Sequence, residues 1–600
     1  MTLPAEPAQY GMAPDAVASA ARGGATGRRR VGQGVGFVWL AALPAVAVLI
    51  LLLAVVWLSL TTGVPAIPGG PYSLDNIHSM LVAPETWGVM WNTLVFASVS
   101  TAMAMLGGTA VAWVVERTDF PRPQLVYAGL TVALLIPGFF PSMGWLFLLG
   151  PRIGLIGRWL HDSFGFPRDW ITIANPSGMG FVQGLLLLPL AFVLVGPTLR
   201  SVSGELLEAA QVSGLGLYER ARRIELPLVT PALVAAAIYC FMVAVASFDV
   251  PGFIGLTYRQ FTFSTYVYQL TNPQAGTPQY APPAAIALLA MVVAFLLTVA
   301  YQRAIRHGRS YQVVTGRGYR ASPYRLGRAR WWVYTGLGFY FALSFLMPLL
   351  LVVWVAVTPY FQVPSLAAFK SVTLANFQTS PWALAWRGTE HTLVLMVCVP
   401  AVGVLLGLIV SWVVVRSRAR IRGFIDLALF LPHAVPGIVF AMALQTLALF
   451  VLAPVLTLAG TVWIIAVVYL LTYLTFAVRS MSVAVVQVGS DLEEAAYVGG
   501  LSVGRTMVAV FLPLVSQAAL NAWVWIALLV LRELTMSVVL FTPSNITLPT
   551  VIWSTWYSGQ LGQSSAMSLV FMTLFLPVAL VYLVQRVNRR RAVPQPTAPD

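Results

Sequence analysis

The chain has 600 residues, of which 58% are hydrophobic and 9% charged, and its mean hydropathy is +0.82. So few charges cannot cover a water-facing surface, which excludes a soluble globular protein and points to a polytopic membrane protein. The formal net charge of +15 does not point to nucleic acid. The arginines gather beside apolar runs, at Arg28–Arg30, Arg303–Arg330, Arg416–Arg422 and Arg586–Arg591, where positive charge fixes membrane orientation.

Residues 1–35 are rich in Ala, Gly and Arg and read as a disordered tail. The apolar run from Phe37 to Leu60 is too long for a signal-peptide core and reads as an uncleaved first span. With about 20 apolar residues needed per crossing, about twelve spans follow, centred near 48, 102, 138, 188, 243, 293, 344, 402, 437, 469, 528 and 576. If the N-terminus is cytoplasmic, every dense arginine cluster falls inside, both termini are cytoplasmic, and the outer loops are rich in Pro, Gly, Tyr and Asn. Arg152, Arg158 and Arg168, dispersed through an outer loop, are the exception. Cys240 and Cys398 lie in apolar runs and read as small buried hydrophobes.

The segment 304–330 lacks apolar periodicity and reads as a cytoplasmic linker between two six-span units, 36–303 and 331–586, followed by a cytoplasmic tail 587–600. The halves share residues at fixed spacing. Glu208-Ala209-Ala210, Gly214 and Leu226-Pro227 return 286 residues later as Glu494-Ala495-Ala496, Gly500 and Leu512-Pro513. Asn92-Thr93-Leu94 matches His391-Thr392-Leu393, Glu116-Arg117-Thr118 matches Arg416-Ser417-Arg418, and Ile136-Pro137-Gly138 matches Leu431-Pro432-His433. Both copies run in the same direction, which makes a parallel repeat of six spans.

The loops 199–230 and 479–516 are the part kept most alike. Glu205 and Glu208, like Asp491 and Glu494, stand three apart and share one helix face. Ser490 with Glu493 forms a capping-box pattern that starts a helix. The Ala pairs allow a partner to approach closely. Gly214 and Gly500 stand where a left-handed residue ends the helix and turns the chain. The expected object is a short helix parallel to the membrane, protruding into the cytoplasm with an acidic edge.

Ionisable residues inside spans are costly and therefore functional candidates. Asp249 lies near the outer end of the fifth span, Arg532 and Glu533 at comparable depth in the eleventh, and His433 beside Pro432 and Pro436. The first three suit a pathway between the halves or a structural pairing; His433 suits a broken-helix site. Lys370 is the sole lysine, and its neighbours lack the glycines of a phosphate-cradling loop, so no ATP site is expected in this chain. No zinc spacing, nucleophile elbow or general acid/base pair is present, and the metal ligands of the chain, if any, are not legible.

The pattern Glu-Ala-Ala, three residues, Gly, nine residues, then Ile-Glu-Leu-Pro at 224–227 or Val-Phe-Leu-Pro at 510–513 resembles the cytoplasmic loop of binding-protein-dependent ABC importer permeases. Two copies in one chain resemble the fused permeases of ferric-iron transport, with thiamine and aminoalkylphosphonate permeases as relatives. The first copy departs in carrying Glu225, to which the sequence alone assigns no function. The resemblance spans about residues 36–590. It implies an all-α permease in a bacterial inner membrane, with coupling helices at Glu205, Glu208, Ala209, Ala210 and Gly214 and at Asp491, Glu494, Ala495, Ala496 and Gly500 seated on two ABC ATPase subunits. ATP and Mg would be bound by those subunits, and a periplasmic or lipoprotein solute-binding protein would deliver the substrate. The chain is then a transport subunit and no enzyme, with ferric iron as the expected cargo and thiamine, an aminoalkylphosphonate or a polyamine as alternatives. An ion-coupled secondary transporter shares the two-halved architecture but has no need of such loops.

Overall fold

The computed structural model describes residues 23–62, 72–202, 204–272, 279–309, 324–433 and 435–573, with main chain alone at 23–35, 217, 305–309 and 433. Residues 1–22, linker residues 310–323 and the tail 587–600 lie outside the described residues. So does most of the expected twelfth span, of which residues 561–573 are helical.

The first half contains α1 (Gly23–Leu60), α2 (Pro84–Arg117), α3 (Pro123–Leu135), α4 (Phe139–Leu149) and α5 (Pro176–Ser201). It continues with α6 (Gly204–Val212), α7 (Leu226–Ala246), α8 (Phe263–Thr271) and α9 (Ala281–Arg309). The second half opens with α10 (Arg330–Phe341), α11 (Met347–Ala356), α12 (Trp382–Arg416), α13 (Arg422–Phe430) and α14 (Gly437–Phe450). It ends with α15 (Val462–Gln487), α16 (Ser490–Val498), α17 (Leu512–Leu531), α18 (Ser537–Leu540) and α19 (Leu548–Tyr557). The protein is an all-α polytopic membrane protein.

Among the described residues nine helices are long and apolar enough to cross a membrane, or ten if α3 and α4 count as one span. The twelfth expected span lies mostly outside the described residues, and the third and ninth differ for a physical reason. The third expected span is two helices meeting at 87°, because Pro137 at the Ile136-Pro137-Gly138 junction supplies no N–H to continue the ladder. The ninth is also divided, by the 3-10 turn Leu431–His433 between α13 and α14. Hydropathy summed over a window cannot see either break. A second correction concerns the N-terminal tail: α1 starts at Gly23, so the segment before residue 35 is partly helical and propagates the first span toward the N-terminus.

Matched local devices recur in the two halves. Gly108 on α2 lies so close to Ala191 on α5 that an added Cβ would come within 2.7 Å, and Gly407 on α12 stands likewise to Ala477 on α15, at 2.8 Å. These contacts let the helix backbones pack tightly, as small residues do in lipid, where no hydrophobic force drives helices together. Thr262 and Thr265 form a capping box at the start of α8, and Thr547 and Thr550 do so at α19. The Phe263 N–H donates to Thr93 Oγ1 (2.8 Å) and the Leu548 N–H to Thr392 Oγ1 (3.0 Å), which ties each of these helices to the second long helix of its half. Thr118 Oγ1 donates to Val114 O and Ser417 Oγ to Val413 O, so Arg117 pairs with Arg416, one residue off the triplet alignment drawn from sequence.

The first long helix of each half crosses to the other. α1 packs on α12, α13 and α14, while α11 packs on α4. Each divided helix is therefore held by the opposite half, and residues from both breaks line one cavity between the halves.

Candidate functional site

Two places carry the sequence-derived candidates: a pair of surface loops and the central cavity. In the loops, α6 and α16 are each nine residues long, and each ends in a left-handed glycine, Gly214 at φ 80° and Gly500 at φ 82°. The Leu215 N–H reaches back to Ala210 O and the Leu501 N–H to Ala496 O, both at 3.0 Å, which closes the helix end. No heavy atom stands within 4 Å of where a Cβ would sit on either glycine. The requirement for glycine there is thus one of backbone conformation, not of space. A short helical turn follows, then a π turn at Ala221–Glu225 or Met507–Phe511, and then Leu226-Pro227 or Leu512-Pro513. Proline cannot donate to the carbonyl four residues back, and the wider turn accommodates this so that the helix runs on into α7 or α17.

The loop helices leave the same apolar side chains in water. Leu206 and Val212 are 42% and 88% exposed, and their counterparts Leu492 and Val498 are 50% and 82% exposed. Ala209 and Ala495 are exposed between them, and Glu205, Asp491 and Glu494 are exposed beside them; Glu208 is half-buried. An apolar stripe with an acidic edge, repeated at matching positions, has the character of a docking surface. Of each Ala pair only the first faces outward: Ala210 and Ala496 are buried. The expected capping box at Ser490 does not form. Gly489 is the N-cap with no side-chain cap, and the Glu493 carboxylate turns away to accept from Trp412 Nε1 (3.1 Å) and Tyr497 OH (2.9 Å). A buried indole N–H competes for that carboxylate more strongly than a water-exposed helix end does.

The central cavity, about 310 Å³, is lined by Asp249, Arg532 and Glu533 together with Gln183, Ser247, Thr472 and Tyr473. These charges lie at helix ends. Asp249 opens the short helical segment that follows the break after α7 and leads into the π turn Pro251–Gly255, and Arg532 is the C-cap of α17. Both flank interruptions of the helical ladder, close to the break between α3 and α4. Arg532 Nη1 donates to Leu134 O (2.6 Å) and Ile136 O (3.4 Å), at the carbonyl end of α3. Asp249 accepts from the Gly138 backbone at the N-terminal end of α4, so close that a Cβ on Gly138 would come within 2.6 Å of its Oδ2. A cation thus meets the negative end of one half-helix and an anion the positive end of the next. Glu533 accepts from the Met536 N–H (3.1 Å) and from Tyr473 OH.

Arg532 therefore lines the cavity and is at the same time bonded to backbone carbonyls of α3. His433 ends a short 3-10 turn at Leu431–His433, and its side chain lies outside the described residues. Sequence reasoning missed Tyr473 and Gln183, which carry no charge and sit in apolar helices. Among the described residues no three His, Cys, Asp or Glu side chains gather as a metal site.

Residues 403–593 match the family described as binding-protein-dependent transport system inner membrane component. The probable ABC transporter permease protein y4fN of Sinorhizobium fredii is 24% identical over 86% of this chain and 90% of its own. The putative ferric transport system permease protein FbpB 1 of Haemophilus influenzae is 24% identical over 76% of this chain and 70% of its own. A putative 2-aminoethylphosphonate transport system permease protein PhnU of Salmonella choleraesuis is 24% identical over 31% of this chain and 65% of its own. A solved bacterial ABC transporter that imports the acidic polysaccharide alginate aligns with 44% of this chain and 89% of its own, at 16% identity and a TM-score of 0.33.

Its described helices make the chain a multi-pass membrane protein, and its second half carries the match to the binding-protein-dependent permease family. Over most of its length the chain is similar to ABC transporter permeases.

Proposed function

We propose that this chain is the inner-membrane permease subunit of a binding-protein-dependent ABC importer, working with an ATPase and a substrate-binding protein. It passes ferric iron, and its two halves are copies of one six-span unit, 36–303 and 331–586, joined by the linker 304–330. The central cavity supports a cationic cargo. Two carboxylates, Asp249 and Glu533, line it, against Arg532 as the one cation among the described lining residues, and that guanidinium is engaged by the carbonyls of Leu134 and Ile136. Similarity to ferric permeases over three quarters of the chain supports the same reading.

In this account the chain carries no cofactor and no hydrolytic activity of its own. Two ATPase subunits bind ATP and Mg, and α6 and α16 seat in a cleft on each. ATP-driven closure of the pair moves the loops, switches the cavity from inward-facing to outward-facing, and lets a loaded binding protein release its cargo. Each state is selected by its differential binding energy, and no covalent step occurs in the permease.

Uptake assayed with the cognate binding protein tests the cargo. Asp249→Asn and Glu533→Gln are expected to lower ferric uptake about tenfold while the ATPase complex still assembles, since each removes a charge-assisted contact of about 1.5–3 kcal/mol. Undiminished uptake in both variants would remove these residues from the pathway, and uptake of a phosphonate or sugar instead of iron would replace the cargo.

The orientation reading places both loops, both termini and the linker in the cytoplasm, because the dense arginine clusters share that side. Cysteines placed at Ser322 and Ser490 should react with an impermeant reagent only after permeabilisation. Ready labelling of either in intact spheroplasts would invert the map.

A further inference from the structure

Arginine and tryptophan side chains at the inner ends of α2 and α12 hold the loops by a device common to both halves. Trp113 Nε1 donates to Glu225 Oε2 (2.7 Å), and Arg117 Nε stands 3.3 Å from Glu225 Oε1. Trp412 Nε1 donates to Glu493 Oε1 (3.1 Å), and Arg416 Nε stands 3.8 Å from Glu493 Oε2. Each arginine also donates to a main-chain carbonyl just before its loop helix, Arg117 Nη2 to Val202 O and Arg416 Nη2 to Val488 O. An aromatic ring packs on each indole: Tyr324 on Trp113 at 5.8 Å and Phe37 on Trp412 at 5.9 Å.

The tryptophans, arginines and carbonyls occupy matching positions in the two halves, but the carboxylates do not. Counted from the shared glycines, Glu493 corresponds to Leu207, and Glu225 corresponds to Phe511. Leu207 is 4% and Phe511 0% exposed, so the vacated position is filled by a buried apolar side chain each time. Glu225 is itself 2% exposed, and such a carboxylate is retained only if paired. One Trp–Arg pair thus recruits its carboxylate from the π turn that leads into α7, and the other from the loop helix α16 itself.

We propose that Trp113–Arg117–Glu225 and Trp412–Arg416–Glu493 are equivalent clamps that carry the movement of each loop to the second long helix of its half. The four residues of α2 and α12 that pair with the carboxylates, Trp113, Arg117, Trp412 and Arg416, are positioning residues that act through the loops. The clamp works on whichever side supplies the carboxylate, because the π turn and the loop helix flank the same Trp–Arg pair. In the first half the grip falls on the entrance to α7, and in the second directly on α16. This inference rests on the reading of α6 and α16 as ATPase-docking helices.

The test is relocation. In the full permease–ATPase complex reconstituted with its binding protein, Glu225→Phe alone is expected to lower cargo moved per ATP hydrolysed about tenfold, as loss of a charged hydrogen bond implies. Adding Leu207→Glu, which copies the second half's arrangement into the first, should return that ratio to within about twofold of wild type. The mirror pair, Glu493→Leu with Phe511→Glu, covers the case in which the first set does not assemble, because Glu493 is the less buried of the two. A filling or stabilising role would change complex yield and thermal midpoint but leave cargo per ATP unchanged. A ratio that stays at wild type in the single variants, or stays low in assembled relocated variants, would overturn the clamp. If instead the wild-type complex shows no ATP-coupled uptake, the docking reading itself fails and the clamp falls with it.

Discussion

Replacing Glu208 and Glu494 by alanine together is expected to weaken ATPase association about a hundredfold and to abolish stimulation of hydrolysis by the loaded binding protein. The permease itself should remain in the membrane at normal abundance. Each glutamate stands beside an exposed apolar stripe, Leu206–Val212 or Leu492–Val498, whose side chains have no partner surface in this chain to bury them. A charge-assisted hydrogen bond lost at such a surface costs about 1.5–3 kcal/mol, and every 1.4 kcal/mol is about tenfold in affinity. On the proposed coupling, two loops share one motor, and either single change should do much less. Glu494 is the cleaner probe, being exposed where Glu208 is half-buried. Quantitative co-purification with the ATPase, read beside membrane abundance, checks the result.

Arg532→Met is expected to have the next largest effect, because one side chain serves three purposes. Its guanidinium bonds the carbonyls of Leu134 and Ile136, joins the second half to the broken helix of the first, and is the cation beside Asp249 and Glu533 in the cavity wall. Removing it leaves carbonyls at a helix end unsatisfied at about 1–3 kcal/mol each unless water replaces the donor, and leaves two carboxylates without their cation. Uptake should fall by more than about tenfold and the thermal midpoint of the purified permease should drop by several degrees. Arg532→Lys keeps the charge but has no planar fork to span two carbonyls, so an intermediate loss is expected. A thermal scan paired with uptake separates this from a change confined to the pathway: Arg532→Met with an unaltered midpoint would show that the halves do not depend on this contact.

Much of this arrangement was legible from residue spacing. The Glu-Ala-Ala loops could be placed because acids three apart, a glycine two turns on and a Leu-Pro pair impose one local geometry, and the structure has left-handed glycines at both expected positions. The capping box at Ser490 failed as a reading because a local pattern competes with distant partners, and Trp412, 81 residues from Glu493, is invisible to a short window. The divided third and ninth spans were missed for a related reason: hydropathy integrates across Pro137 and Pro432, while the 87° turn at the first accompanies a missing N–H and a bond from Arg532 of the other half. Glu225 looked like an idiosyncrasy because comparison of the loops aligns positions, whereas the Trp–Arg pair asks for a carboxylate in a place that two different positions can reach. The crossing of α1 and α11 into the opposite half left no trace in the sequence, since helices of uniform apolarity do not declare their neighbours.

The most direct measurement is ATP hydrolysis and ferric uptake by the complete complex in proteoliposomes, with ATP on the side of the loops and loaded binding protein on the other. The account predicts that uptake requires ATP, that loaded binding protein raises hydrolysis, and that Glu208→Ala/Glu494→Ala abolishes both responses while the permease stays in the bilayer. Uptake that proceeds without ATP on an ion gradient, unaffected by the double variant, would contradict it and make this two-halved protein a secondary transporter.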